Sequence, residues 1–106
     1  MTKNGIRPVH PGEVLLEEFM KPSDHPINAN MLAKALEVPA NRITAIIKGQ
    51  RGITGDTAVR LAAFFNTTAE LWMNLQKTYE LRLAERALSK NVRKHIQRHR
   101  DMLVSA

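Results

Sequence analysis

Apolar residues recur along this chain at spacings of three and four, which is helical periodicity. No segment alternates strictly between apolar and polar residues, and no Asn-Gly or Asp-Gly pair joins two strand-like runs. The helix breakers are unevenly spread. The prolines are Pro8, Pro11, Pro22, Pro26 and Pro39, the glycines Gly5, Gly12, Gly49, Gly52 and Gly55, and neither type occurs afterwards. The pattern predicts an all-α chain of five or six helices, short and sharply turned in the first half and nearly uninterrupted in the second.

Residues 1–9 read as a flexible leader. Pro11 suits the first position of a helix, where its missing N–H is not needed, with His10 as the cap and Glu13 at the positive end. Leu15 and Phe19 share a face, and Pro22 stops the helix ahead of a connection over Lys21 to Pro26. Asn28 is a strong N-cap for a second helix, flanked by Ile27 and Leu32 as a hydrophobic staple. Its expected buried stripe is Leu32, Ala35 and Leu36. A short turn, Glu37 to Pro39, leads to a third helix from about Ala40 to Lys48, ended by Gly49 in the left-handed conformation.

After a loop over residues 50–53, Thr54 is the expected cap of a fourth helix, with Asp56 in its first turn. That helix carries Ala58, Leu61, Ala62 and Phe65 and ends at Asn66. Thr67 to Glu70 reads as a capping box for a fifth helix with the stripe Trp72, Leu75, Tyr79 and Leu83. The rest continues that helix or restarts near Ser89. Val92, Ile96, His99 and Leu103 keep a narrow seam, wide enough for a helix partner but not for full burial.

The two short helices over about 28–48 make a helix-turn-helix arrangement. Ala33 is small where the helices approach, and Leu32, Leu36, Val38, Ile43 and Ile46 are apolar where they pack. At about 100° per residue, Thr44, Ala45 and Lys48 fall within about 60° of Asn41, while Ile43, Ile46 and Ile47 lie opposite. Ala40 and Arg42 lie on the flanks. A helix that enters the major groove needs this division, because small residues allow close approach and Asn and Thr read base edges. Asn41 can pair with adenine, and Thr44 can meet a base or a thymine methyl. Lys48, Arg42, Gln50 and Arg51 are candidate phosphate contacts, and Asn28 and Asn30 mark a helix N-terminus that suits another phosphate.

Charge supports an anionic partner. Sixteen Lys and Arg against ten Asp and Glu leave a net charge of +6 over 106 residues, one domain's length. The absence of cysteine excludes disulfides, zinc fingers and thiol nucleophiles. No apolar run reaches the roughly 18 residues of a membrane helix, and MTKNGIRPVHPGE lacks the core of a secretory signal. A soluble, cytoplasmic protein is the expectation.

Other chemistry finds little support. His95 and His99 have metal-ligand spacing, but HIQRH lacks the glutamate of a zinc-protease helix and Asp101 is the only carboxylate nearby, so no metal or other cofactor is expected. Glu17 and Glu18 point about 100° apart and cannot serve one catalytic site, and no Ser/His/Asp set or phosphate-binding loop occurs, so no enzyme is expected. Arg86, Lys90, Arg93, Lys94, Arg98 and Arg100 form a basic run without an acid, for which a solvated helix face is the simpler reading than a second nucleic-acid contact. Trp72 opens an apolar stripe and reads as core rather than as a stacking platform for bases.

HPGEVLLEEFMKP, the helix-turn-helix, and RGITGDTAVRLAAFFNTTAELWMNLQKTYEL together resemble the HigA-type antitoxins, also described as virulence-associated protein I-like, over about residues 8–84. One departure is Glu37, where the wider repressor group prefers glycine in the turn; a non-glycine residue there costs about 1 kcal/mol. The resemblance implies a lambda-repressor-like DNA-binding domain over 10–84, with residues 85–106 as a helical extension. It further implies a homodimer that represses its own operon and neutralises a HigB-type mRNA-endonuclease toxin. The dimer would form through the fifth helix and the segment after it, with Trp72, Leu75, Tyr79, Leu83 and Ala87 on that face. A stand-alone helix-turn-helix repressor without a toxin is the competing expectation.

Overall fold

The computed structural model describes residues 7–22 and 24–105, so most of the expected leader lies outside the described residues. Six α-helices and no strand occur among them: α1 (Pro11–Val14), which runs on as a π-helix (Leu15–Met20), α2 (Ala29–Leu36), α3 (Ala40–Ile47), α4 (Gly55–Phe65), α5 (Ala69–Ala87) and α6 (Lys90–Ser105).

The helix ends obey local chemistry. His10 Nδ1 accepts a hydrogen bond from the Gly12 N–H at 2.9 Å, and Pro11 occupies the first turn. The π-helix closes where the Lys21 N–H donates to the Leu16 carbonyl, just ahead of Pro22. Asn28 Oδ1 caps α2 by accepting from the Met31 N–H at 2.8 Å. Gly49 and Asn66 both take the left-handed conformation, as expected. Ser89 Oγ accepts from the Val92 N–H, so the chain restarts as α6 there instead of continuing α5.

Two expected caps differ. Thr54 precedes α4 but makes no side-chain cap bond. The cap of α5 is Thr68, whose Oγ1 accepts from the Leu71 N–H at 3.1 Å, one residue later than the capping box placed it. Thr67 is engaged elsewhere: its Oγ1 accepts from the buried Trp72 indole at 2.9 Å, and an indole N–H in a core needs such a partner.

The core is built from Leu15, Met20, Leu32, Ala33, Leu36, Ile43, Ile46, Ile53, Ala58, Leu61 and Trp72. Burial of each large aliphatic side chain contributes about 1.5–3 kcal/mol. Phe19 and Phe65 close it beside Trp72, with ring centroids 4.8–6.2 Å apart. Ala35 is exposed, against expectation, and Ala33 is buried instead. The reason is geometric: α2 packs on α3 and on α4, so its buried arc runs from Leu32 and Leu36 round to Ala33, away from Ala35.

Gly12 is where α1 meets α3. A Cβ there would overlap the Ile46 carbonyl oxygen, so only glycine lets the helices approach so closely. Gly52 also allows a close approach, here to a side chain: a Cβ would lie 2.7 Å from Gln76 Nε2. That approach delivers Gln76 Oε1 to the buried Ile53 N–H at 2.8 Å, while Gln76 Nε2 donates to Glu80 at 2.7 Å.

The far end of α5 and the described side chains of α6 are exposed throughout. The radius of gyration is 18.0 Å, against about 13 Å for a compact chain of this length. The helix-turn-helix therefore sits in a small packed body from which the C-terminal helices project.

Candidate nucleic-acid interface

α3 is the natural recognition element. Ile43 and Ile46 are fully buried and Ile47 is half-buried, so the inward face is the one the periodicity predicts. Ala40, Asn41 and Lys48 are exposed, and Thr44 and Ala45 half-buried. Positions 41, 44, 45 and 48 share the outer face by helical geometry. The Thr44 hydroxyl lies 3.3 Å from the Asn41 carbonyl and 3.4 Å from that of Ala40, so its donor is turned back onto the helix. Gln50 and Arg51 are exposed in the loop, and the Gln50 N–H is tied back to the Ala45 carbonyl at 2.8 Å. Asn30 is exposed in the first turn of α2, whereas the Asn28 carboxamide oxygen is committed to the cap.

Arg42 is not the open phosphate contact that its flank position suggested. Its guanidinium donates to Asp56 Oδ2 at 2.6 Å, its side chain is only 23% exposed, and its Nε is buried without a hydrogen-bond partner. Asp56 also accepts from Arg60 Nε at 3.1 Å. Arg60 in turn donates to the Leu36 carbonyl at 2.7 Å, at the left-handed Glu37 turn. Arg42 and then Arg60 hold the Asp56 carboxyl below its usual range, which favours the charged form of the cluster. Sequence reasoning placed Asp56 only at a helix N-terminus and did not single out Arg60. Asp56 and Arg60 stand four apart on α4, a spacing the sequence offered, but no local spacing links either of them to Arg42.

His10 is a second organising residue. Its ring packs edge-on against Tyr79 at 4.8 Å and lies close to Gly49 and the Arg51 backbone. It joins α1, the exit of α3 and α5 at one point. Burial pushes the imidazole below its ordinary value, outweighing the Arg51 backbone bond and the Glu13 carboxylate.

The residues named for a dimer face divide. Trp72 is fully buried within its own chain, which removes it from any surface. Leu75 and Tyr79 are half-buried along a groove of about 690 Å³ that also involves Val14, Phe19 and Leu71. Leu83 is 44% exposed, and Ala87 lies in the open part of α5. The His95 and His99 rings are 4.2 Å apart on α6, and no group of three or more metal-ligating side chains occurs among the described residues. No helix among them is long and apolar enough to cross a membrane.

A buried-faced second helix behind a polar-faced third one, held by a tight left-handed turn, defines a helix-turn-helix protein. A family model described as helix-turn-helix matches residues 27–72. Virulence-associated protein I of Dichelobacter nodosus is 48% identical over 83 residues, 78% of this chain and 75% of that protein. An addiction module antidote protein of the HigA family from Coxiella burnetii is 49% identical with a TM-score of 0.76, over 84% of this chain and 95% of that one. The Pseudomonas aeruginosa antitoxin HigA, solved with the higBA promoter, is 45% identical with a TM-score of 0.75, over 81% and 91%. The chain belongs to the helix-turn-helix family of virulence-associated protein I and the HigA antitoxins.

Proposed function

We propose that this protein is the antitoxin of a type II toxin–antitoxin module: a cytoplasmic, non-enzymatic homodimer that binds operator DNA, represses its own operon and neutralises a HigB-type toxin. The observation that carries the DNA-binding part is the outer face of α3, where Asn41, Thr44, Ala45 and Lys48 stand opposite the buried Ile43 and Ile46 and the half-buried Ile47. The similar antitoxin solved with its promoter supports the same use of the fold. Asn41 and Thr44 read bases; Lys48, Gln50 and Arg51 contact phosphates, with Ala40 and Ala45 permitting close approach and the α2 N-terminus at Asn28 and Asn30 meeting the backbone. In the dimer, paired along Leu75, Tyr79, Leu83 and Ala87, the two α3 helices enter successive major grooves roughly 34 Å apart. The body over residues 10–84 carries these contacts, and 85–106 forms the extension.

The test is co-purification of a tagged copy expressed with its native gene neighbourhood. A stoichiometric small basic partner, which blocks translation when freed, is the expected result. If the neighbouring frames are expressed and nothing co-purifies, the antitoxin part fails and a stand-alone dimeric repressor remains.

A further inference from the structure

The Arg42–Asp56–Arg60 cluster lies beside the recognition helix, and its geometry has two effects on DNA binding. The first is positional. Asp56, at the start of α4, grips Arg42 in the first turn of α3 at 2.6 Å and Arg60 at 3.1 Å. Arg60 reaches the Leu36 carbonyl at the end of α2. One carboxylate thus ties α3 to the end of α2 through α4, across the turn where Glu37 holds a left-handed conformation. The second is electrostatic. Two guanidinium groups share one carboxylate, Arg42 through Nη1 and Arg60 through Nε, so part of their charge is already offset before a phosphate arrives. A guanidinium paired at hydrogen-bonding distance does not add a released counterion when DNA binds, whereas a free one does.

We propose that Asp56 is a specificity-determining residue: it aims α3 and withholds Arg42 and Arg60 from the phosphate backbone, which suppresses sequence-independent binding. Phosphate contacts carry no sequence information, so cations beside a reading helix strengthen binding to any duplex. With Arg42 masked, affinity rests more on α3 and its exit loop. The assignment rests on the DNA-binding reading above.

The test measures binding of the full chain to two duplexes of equal length, the region upstream of its own gene and a random sequence, between 50 and 200 mM salt. In Asp56→Asn the random duplex should bind roughly five- to tenfold tighter near 100 mM salt, and the salt slope should steepen by about 0.9 for each arginine released. The upstream duplex should gain less, because α3 is no longer held, so the preference for it falls. Asp56→Glu should restore the wild-type slope. Arg42→Gln supplies an independent measurement that does not depend on how well Asp56→Asn folds: a masked arginine leaves the slope unchanged, while a phosphate contact lowers it by about one. An unchanged or weaker random-duplex affinity in a folded Asp56→Asn, or a lowered slope in Arg42→Gln, overturns the proposal. Should the wild-type chain bind the two duplexes equally, the DNA-reading role of α3 fails and takes this assignment with it.

Discussion

Asn41 and Lys48 occupy one face of α3 but have different partners in prospect, and their substitutions should separate. Asn41→Ala is expected to cost about 1–3 kcal/mol on the operator and little on random DNA. Lys48→Ala should weaken both and lower the salt slope by about one. Anisotropy titrations on both duplexes check this; equal losses on the two DNAs for Asn41→Ala would remove it from base reading. His10 gives a prediction in pH. Its folded-state value is depressed, so the neutral ring is favoured, and its contribution to stability is complete above the ordinary value of 6.5. That contribution is lost as pH falls through the depressed folded-state value, because a protonated Nδ1 faces the Gly12 N–H as a second donor. Urea midpoints should fall on acidification, less steeply in His10→Asn, which can still accept the cap bond. Identical pH profiles for the two proteins would assign the loss to other groups.

At the scale of elements, the caps and turns written in adjacent residues were legible in the chain, and contacts between distant residues were not. Asn28, Gly49 and Asn66 act where their chemistry predicts. Glu37 takes the left-handed turn without glycine, with the Val38 N–H bonded to the Ala33 carbonyl and Arg60 against the Leu36 carbonyl. The capping box slipped by one residue because Thr67 is claimed by the Trp72 indole, a demand set by burial and invisible to the local motif. Gln76 escaped notice because a polar residue next to an apolar stripe reads as solvated; its reason is the buried Ile53 N–H, and its only trace in the chain is Gly52. Gly12 sets the spacing of α1 and α3. Gly12→Ala should destabilise the protein by about 1–3 kcal/mol or more, since the obstruction is a backbone carbonyl that cannot rotate away. Thermal melts monitored by helical signal measure it, and an unchanged midpoint would contradict the close approach.

On the scale of the whole molecule, the extended shape is the informative feature. Its longest dimension is 61 Å against 27 and 22 Å for the others, and Val92, Ile96 and Leu103 are 47%, 53% and 79% exposed on the projecting helix. A single chain leaves these residues, with Leu83, uncovered, which fits association through the C-terminal half. Leu83→Arg touches this surface without entering the core. Light scattering is expected to report a dimer for the wild type and a monomer for Leu83→Arg; a surviving dimer would place the interface elsewhere.

The sequence alone determined the all-helical class, the helix-turn-helix and the inward and outward faces of α3, because these depend on periodicity and on caps between residues a few positions apart. The family was also legible, through HPGE and WMNLQ, although the reason for the glycine in HPGE lies in α3. Only the tertiary structure decided that Arg42 is engaged by Asp56, that Trp72 belongs wholly to the core of its own chain and not to a dimer face, and that His10 joins three elements. A charged or aromatic side chain looks the same in sequence whether it meets water, DNA or its own fold. The difference is set by which distant residues packing brings within hydrogen-bonding reach.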